Sequence, residues 1–154
     1  MAPRILIVDD EPSIVRLVKA SLASSGYEFA EAFDGNEALV QVKLHRPDLI
    51  LLDIMMPHMD GNEVRRRLLA DRETRDIPVI HLSAVGDFGK QHQALAEGVT
   101  DYIVKPFTPS ELSQRVADLL NPTKADQVKK EHNHKSAQLR ALTDIMARKR
   151  ESGK

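Results

Sequence analysis

The chain has no cysteine, no apolar run approaching the length of a membrane span, and no glycine-rich loop after its first apolar segment, where the residues are Asp9-Asp10-Glu11-Pro12-Ser13. Each absence excludes something. Without thiols there is neither a disulfide framework nor a thiolate metal site, so zinc ribbons and thiol enzymes are ruled out and the composition fits a reducing compartment. A spanning helix needs roughly 18 or more apolar residues in succession, and Met1–Arg4 leads directly into an apolar run, so an unexported protein is expected. A cytoplasmic protein without membrane insertion is therefore expected. A nucleotide-binding α/β protein would place a glycine-rich turn where this chain has DDEPS.

What is present suits one globular domain with an appendage: 154 residues, 42% hydrophobic and 29% charged. The net charge of −1 hides an uneven distribution. Residues 1–122 carry 13 Lys and Arg against 19 Asp and Glu, a balance of −6, whereas residues 123–154 carry 9 against 4, a balance of +5. Asn121-Pro122 marks the expected boundary, because proline cannot continue a helix and restricts the residue before it. The division is thus a domain over 1–122 and a basic tail over 123–154, partly helical or disordered. In the tail, Leu139, Leu142 and Met146 follow helical spacing, but under two heptads cannot specify a coiled coil.

Short apolar runs, Ile5–Val8, Leu49–Leu52, Val79–Leu82 and Tyr102–Val104, are too short for independent helices and rich in β-branched or leucine residues. They read as buried strands, with a further strand over Tyr27–Ala32. Between them lie stretches of helical period: Ser13–Ser25, capped by Ser13, with Ile14, Leu17, Val18 and Leu22 on one face; Asn36–His45 with Ala38, Leu39 and Val42 inward; Glu63–Ala70; about Asp87–Glu97; and a last helix to Leu120, capped by Thr108 or Ser110, with Leu112, Val116 and Leu119 buried. Alternating strands and helices imply a doubly wound α/β fold with a five-stranded parallel sheet. In such sheets ligands bind beyond the carboxyl ends of the strands. Asp9, Asp10, Asp53, Ser83 and Lys105 each follow directly on an apolar run and converge there, giving a site for a divalent metal and a phosphoryl group.

These features resemble the response-regulator receiver domain, the CheY-like family of two-component signalling, over residues 4–120. The positions that carry the resemblance are Asp9-Asp10, Asp53 in LLDIMMPHMDG, Ser83 before Ala84, Tyr102, and Lys105-Pro106. The resemblance implies the flavodoxin-like strand order 2-1-3-4-5, a cis Lys105–Pro106 bond, the Met55 backbone carbonyl as a metal ligand, and Tyr102 as an aromatic switch. It also implies a histidine kinase or phosphotransfer protein as phosphoryl donor, and a downstream protein target.

The chemistry follows from the side chains. Asp53, as a carboxylate, attacks an activated phosphoryl donor to give an acyl phosphate. Transfer of this kind depends mostly on positioning and charge neutralisation. Mg²⁺, or Mn²⁺ in its place, prefers hard oxygen ligands, with Asp10 and Asp53 direct and Asp9 direct or through water. Lys105 and Ser83 would each contact a phosphoryl oxygen. The added charge would pull Ser83 inward, carry Ala84–Asp87 with it, and let Tyr102 turn into the vacated space. The 87–120 face would then pair with a second copy or a partner. The side chains at Met55 and Val85 are apolar and cannot hold a hydrolytic water, so slow loss of the phosphoryl group is expected.

Competing readings are weaker. Acidic residues can simply favour a helix N-terminus, but that does not explain why every strand ends in a polar residue at the same edge. A phosphatase of the haloacid-dehalogenase type would carry an acid two residues after its nucleophile, where this chain has Met55. A receiver-like scaffold that never takes phosphate would leave a complete site unused. The chain is therefore expected to catalyse only its own phosphorylation and dephosphorylation. Arg65–Arg67 read as a solvated helix face on an acidic body, and the histidines, His45, His58, His81 and His92 among them, as surface or packing residues. No DNA-binding or other output domain fits in 32 residues, so a single-domain regulator without direct nucleic-acid contact, or a chain ending within a linker helix, is expected.

Overall fold

The computed structural model describes residues 2–84 and 101–121. The expected helix over 87–97, the tail over 123–154, Val85 and His92 lie outside the described residues. Five strands, β1 (Arg4–Val8), β2 (Glu28–Ala32), β3 (Leu49–Asp53), β4 (Val79–Ser83) and β5 (Asp101–Val104), form one parallel sheet in the order β2-β1-β3-β4-β5. β3 and β4 are buried along their whole length, which accounts for their nearly continuous apolar character. The described helices are α1 (Pro12–Leu22), α2 (Gly35–His45), α3 (Gly61–Ala70) and α4 (Pro109–Leu120).

Alternation along the strands divides the core into two layers. Ile5, Ile7, Leu49, Leu51, Ile80, Leu82 and Ile103 face α1 and α4, where Val15, Val18, Leu22, Leu112 and Val116 meet them. Leu6, Val8, Ile50, Leu52 and Val79 face α2 and α3, against Ala38, Val42, Val64 and Leu68.

The helix starts follow local chemistry. Asp34, Asp60 and Thr108 each accept a hydrogen bond from the backbone N–H three residues on, at Glu37, Glu63 and Glu111. Thr108, with Pro109 at the first helical position, therefore caps α4 in place of Ser110. Ser13 does not cap α1. That helix starts at Pro12 with Glu11 as its flanking residue, and Asp9 Oδ1 instead accepts the Glu11 N–H at 3.0 Å. A short 3₁₀ turn over Ala23–Ser25 follows α1 and stops at Gly26, whose φ of 75° suits a residue without Cβ.

Two burial expectations are corrected. Leu17 is 44% exposed because the buried stripe of α1 runs through Val15, Val18 and Leu22. Arg65 is only 5% exposed, because α3 buries the stripe Gly61, Val64, Arg65 and Leu68, while Arg66 and Arg67 point outward and pair with Glu63.

Candidate functional site

The site stands at the carboxyl edge of the sheet. Asp9 follows β1 and is fully buried, Asp53 ends β3 at 4% exposure, and Asp10 is exposed beside them. One carboxylate oxygen from each lies within 4.8 Å of the others. Lys105, directly after β5, reaches between two of them: its Nζ donates to Asp9 Oδ2 at 2.7 Å and to Asp53 Oδ1 at 3.3 Å. Backbone bonds fix the loops that carry these groups. Lys105 N–H donates to the Ser83 carbonyl at 2.6 Å, Ile54 N–H to the Leu82 carbonyl at 3.0 Å, and Gly61 N–H to the Ile54 carbonyl at 2.7 Å. A Cβ on Gly61 would stand 2.3 Å from the Asp53 carbonyl oxygen, so only glycine lets α3 start this close to the end of β3.

The remaining expected residues stand on the neighbouring strands and loops. Ser83 is buried at the end of β4, and its hydroxyl donates to the Ala84 carbonyl at 3.3 Å. Tyr102 is buried in β5, packed with Ile54 and Val104. Met55 is 49% exposed on the loop after Asp53. The Lys105–Pro106 bond is cis.

Charge decides the chemistry of this arrangement. Burial first, then the neighbouring Asp9, raises the Asp53 carboxyl to about 7. Burial likewise raises Asp9, against the pull of the Lys105 hydrogen bond. For Lys105 burial works against the charged form, but the hydrogen bond it donates to Asp9 and the charges of both carboxylates outweigh it and hold the ammonium above the ordinary lysine value. Three clustered carboxylates, two of them bonded to one ammonium, leave negative charge uncompensated, which adds to the burial that raises Asp9 and Asp53. An all-oxygen donor set with surplus negative charge fits a hard divalent cation.

Three buried polar residues beside the site escaped the sequence reading as a group: Asn62 and Arg65 on α3 and His81 in β4. The available signals were the period of α3, which sets Arg65 on the stripe of Gly61 and Leu68, and the central place of His81 in the apolar run VIHLS.

Comparison with known proteins accords with this geometry. The response regulator receiver domain family matches residues 5–117, and the chain belongs to that family. It is 46% identical over 120 residues to the probable transcriptional regulator ycf27 of Cyanophora paradoxa, covering 78% of this chain and 49% of that protein. It is 43% identical over 121 residues to the DNA-binding dual master transcriptional regulator RpaA of Synechocystis sp., covering 79% of this chain and 50% of the relative. Among solved structures, a putative response regulator from Chloroflexus aurantiacus superposes with a TM-score of 0.74 at 33% identity, over 79% of this chain and all of that one. The parallel order β2-β1-β3-β4-β5 is thus the flavodoxin-like order of receiver domains.

One expectation is overturned by these relatives. A single-domain regulator without DNA-binding output does not stand, because the similar curated proteins are transcriptional regulators, one of them DNA-binding by its description. The chain spans about half the length of the curated relatives it matches, so the shortness of residues 123–154 says nothing about output. The expectation of no nucleic-acid contact loses its support with it. Receiver domains work in two-component signalling, and no described helix is long and apolar enough to cross a membrane.

Proposed function

We propose that this chain is the phosphoacceptor receiver of a two-component regulator and that Asp53 is the residue phosphorylated. The observation that carries the reading is the clustering of Asp9, Asp10 and Asp53 at the carboxyl edge of the sheet, with Lys105 bonded to Asp9 and Asp53. A carboxylate oxygen of Asp53 attacks the phosphorus of a phosphohistidine on a histidine kinase or phosphotransfer protein. The new O–P bond forms as the P–N bond breaks, and the imidazole leaves with the electron pair. Lys105 holds Asp53 in place beforehand and afterwards neutralises a phosphoryl oxygen, and the Ser83 hydroxyl donates to another. Asp9, Asp10, Asp53 and the Met55 carbonyl would hold Mg²⁺. Bound there, the ion supplies charge neutralisation to the transferring group.

The phosphoryl group adds about −1.5 to −2 of charge, which draws Ser83 from the Ala84 carbonyl and frees space for Tyr102. The changed face is that of β5 and α4; the expected part of it over 87–97 lies outside the described residues. Its partner is a second copy or a downstream protein, and the transcriptional regulators among the relatives favour an output in control of transcription. Light scattering with and without a phosphoryl mimic tests pairing: an unchanged mass would count against it.

The acceptor itself is tested by incubating the chain with Mg²⁺ and acetyl phosphate and weighing it intact. A gain of about 80 Da, one phosphoryl group, is expected with Mg²⁺ and lost in Asp53→Ala. No gain in a folded, metal-binding protein would overturn the reading in favour of a phosphorylation-independent scaffold.

A further inference from the structure

The face of the sheet under α3 buries an imidazole that phosphoryl transfer does not use. His81 is fully buried in the middle of β4, and its register partners are Leu52 of β3 and Tyr102 of β5. Ser83 lies two residues further along the strand and so on the same side. Among the described residues, neither ring nitrogen of His81 makes a hydrogen bond of good geometry, the Leu52 backbone giving the ring only a poorly aligned contact. The ring is held neutral: burial first, then the charge of Arg65, lowers it to about 3, against weaker pulls from the Leu52 backbone and Asp60. A neutral imidazole carries one donor and one acceptor, and burying both unmade is costly. A leucine would fill the position without that cost.

Tyr102 offers the missing partner. Register partners in a parallel sheet point to the same side, so the phenol and the imidazole flank each other under one layer. A phenolic hydroxyl can both donate and accept. We propose that His81 takes the Tyr102 hydroxyl as its hydrogen-bond partner when Asp53 carries a phosphoryl group, so that the unmade bonds of the imidazole favour the phosphorylated arrangement over the present one. This rests on Asp53 being the phosphoacceptor. A ligand shifts two states only through a difference in free energy between them, and a partnerless ring in one state, satisfied in the other, supplies such a difference. His81 is then a positioning residue that makes the switch easier to throw.

The test is titration of Mg²⁺ and beryllofluoride, a stand-in for the phosphoryl group, into wild type, His81→Leu, Tyr102→Phe and the double variant, followed by calorimetry and melting temperature. His81→Leu is expected to melt higher without beryllofluoride and to bind it about tenfold more weakly. Tyr102→Phe should lose a similar factor, and the double variant no more than either single, because both remove one bond. His81→Gln, which retains hydrogen-bonding capacity, should recover most of the affinity and serves as the informative variant if His81→Leu does not fold. Unchanged affinity in His81→Leu with a higher melting temperature in both states, or losses that multiply in the double variant, would overturn the proposal. Failure of wild type to bind beryllofluoride would instead strike the phosphoacceptor reading, and this proposal with it.

Discussion

The two faces of the sheet are built on different principles. Under α1 and α4 the middle of the sheet is apolar, with Ile5, Ile7, Leu49, Leu51, Ile80, Leu82 and Ile103 closed over by aliphatic and phenylalanine side chains. Under α2 and α3 an equally buried layer also contains Asn62, Arg65 and His81, close to the edge where Asp53 and Ser83 stand. Dispersion and burial favour a single tight packing, whereas polar groups in a core fit only arrangements that satisfy them. The first face is therefore suited to hold the strands still. The second is suited to distinguish between states.

The largest expected effect lies on the apolar face. Leu51→Ala should cost about 3 kcal/mol of unfolding free energy by chemical denaturation, and the same amount with or without Mg²⁺. A cost that changes with Mg²⁺ would show that this face also takes part in the proposed switch.

Next in size is Asp53 itself, studied without divalent cation. Its folded carboxyl titrates near 7 and its unfolded one near the ordinary 3.8. Between these values the folded chain binds the extra proton, so stability is full at low pH and falls as pH rises through about 4 to 7. Asp53→Asn removes the penalty: about 1.4 kcal/mol for each pH unit between the two values, discounted by about half for relaxation and water penetration around the cluster, gives a gain of about 2 kcal/mol at pH 8, and almost nothing near pH 4. A gain independent of pH would mean that the carboxylate is not under strain from burial.

Smaller and equal effects are expected at the helix ends of both faces. Thr108→Ala at the start of α4 and Asp34→Ala at the start of α2 should each cost about 1 kcal/mol, since each loses one side-chain acceptor for a backbone N–H. Equality would confine the difference between the faces to their interiors. The smallest effect belongs to Arg66→Ala, an exposed partner of Glu63, which should leave the denaturation midpoint unchanged, in contrast to its buried neighbour Arg65.

Much of this was legible in the chain. The strands ILIV, LILL, VIHL and YIV are local in origin, since a short apolar run buried on both sides identifies itself, and the convergence of Asp9, Asp10, Asp53, Ser83 and Lys105 follows from a parallel sheet. What could not be read depends on rotation and on partners. Leu17 and Arg65 each lie about one residue's turn from where hydrophobicity alone would set them, because the buried stripe of a helix is chosen by what it packs against. Ser13 has the right chemistry for a cap, but Pro12 starts the helix one residue earlier. That Lys105 lies nearer to Asp9 than to Asp53 is decided by contacts 96 and 52 residues apart in sequence, which no local pattern encodes.

Gly61 has a mechanical meaning beyond its fit. With its N–H bonded to the Ile54 carbonyl and no room for even a methyl group against Asp53, the first turn of α3 is pinned to the backbone of Asp53 itself. A helix so bolted is an anvil: if Asp53 takes a phosphoryl group as proposed, the displacement is expected to run the other way, through the ends of β4 and β5.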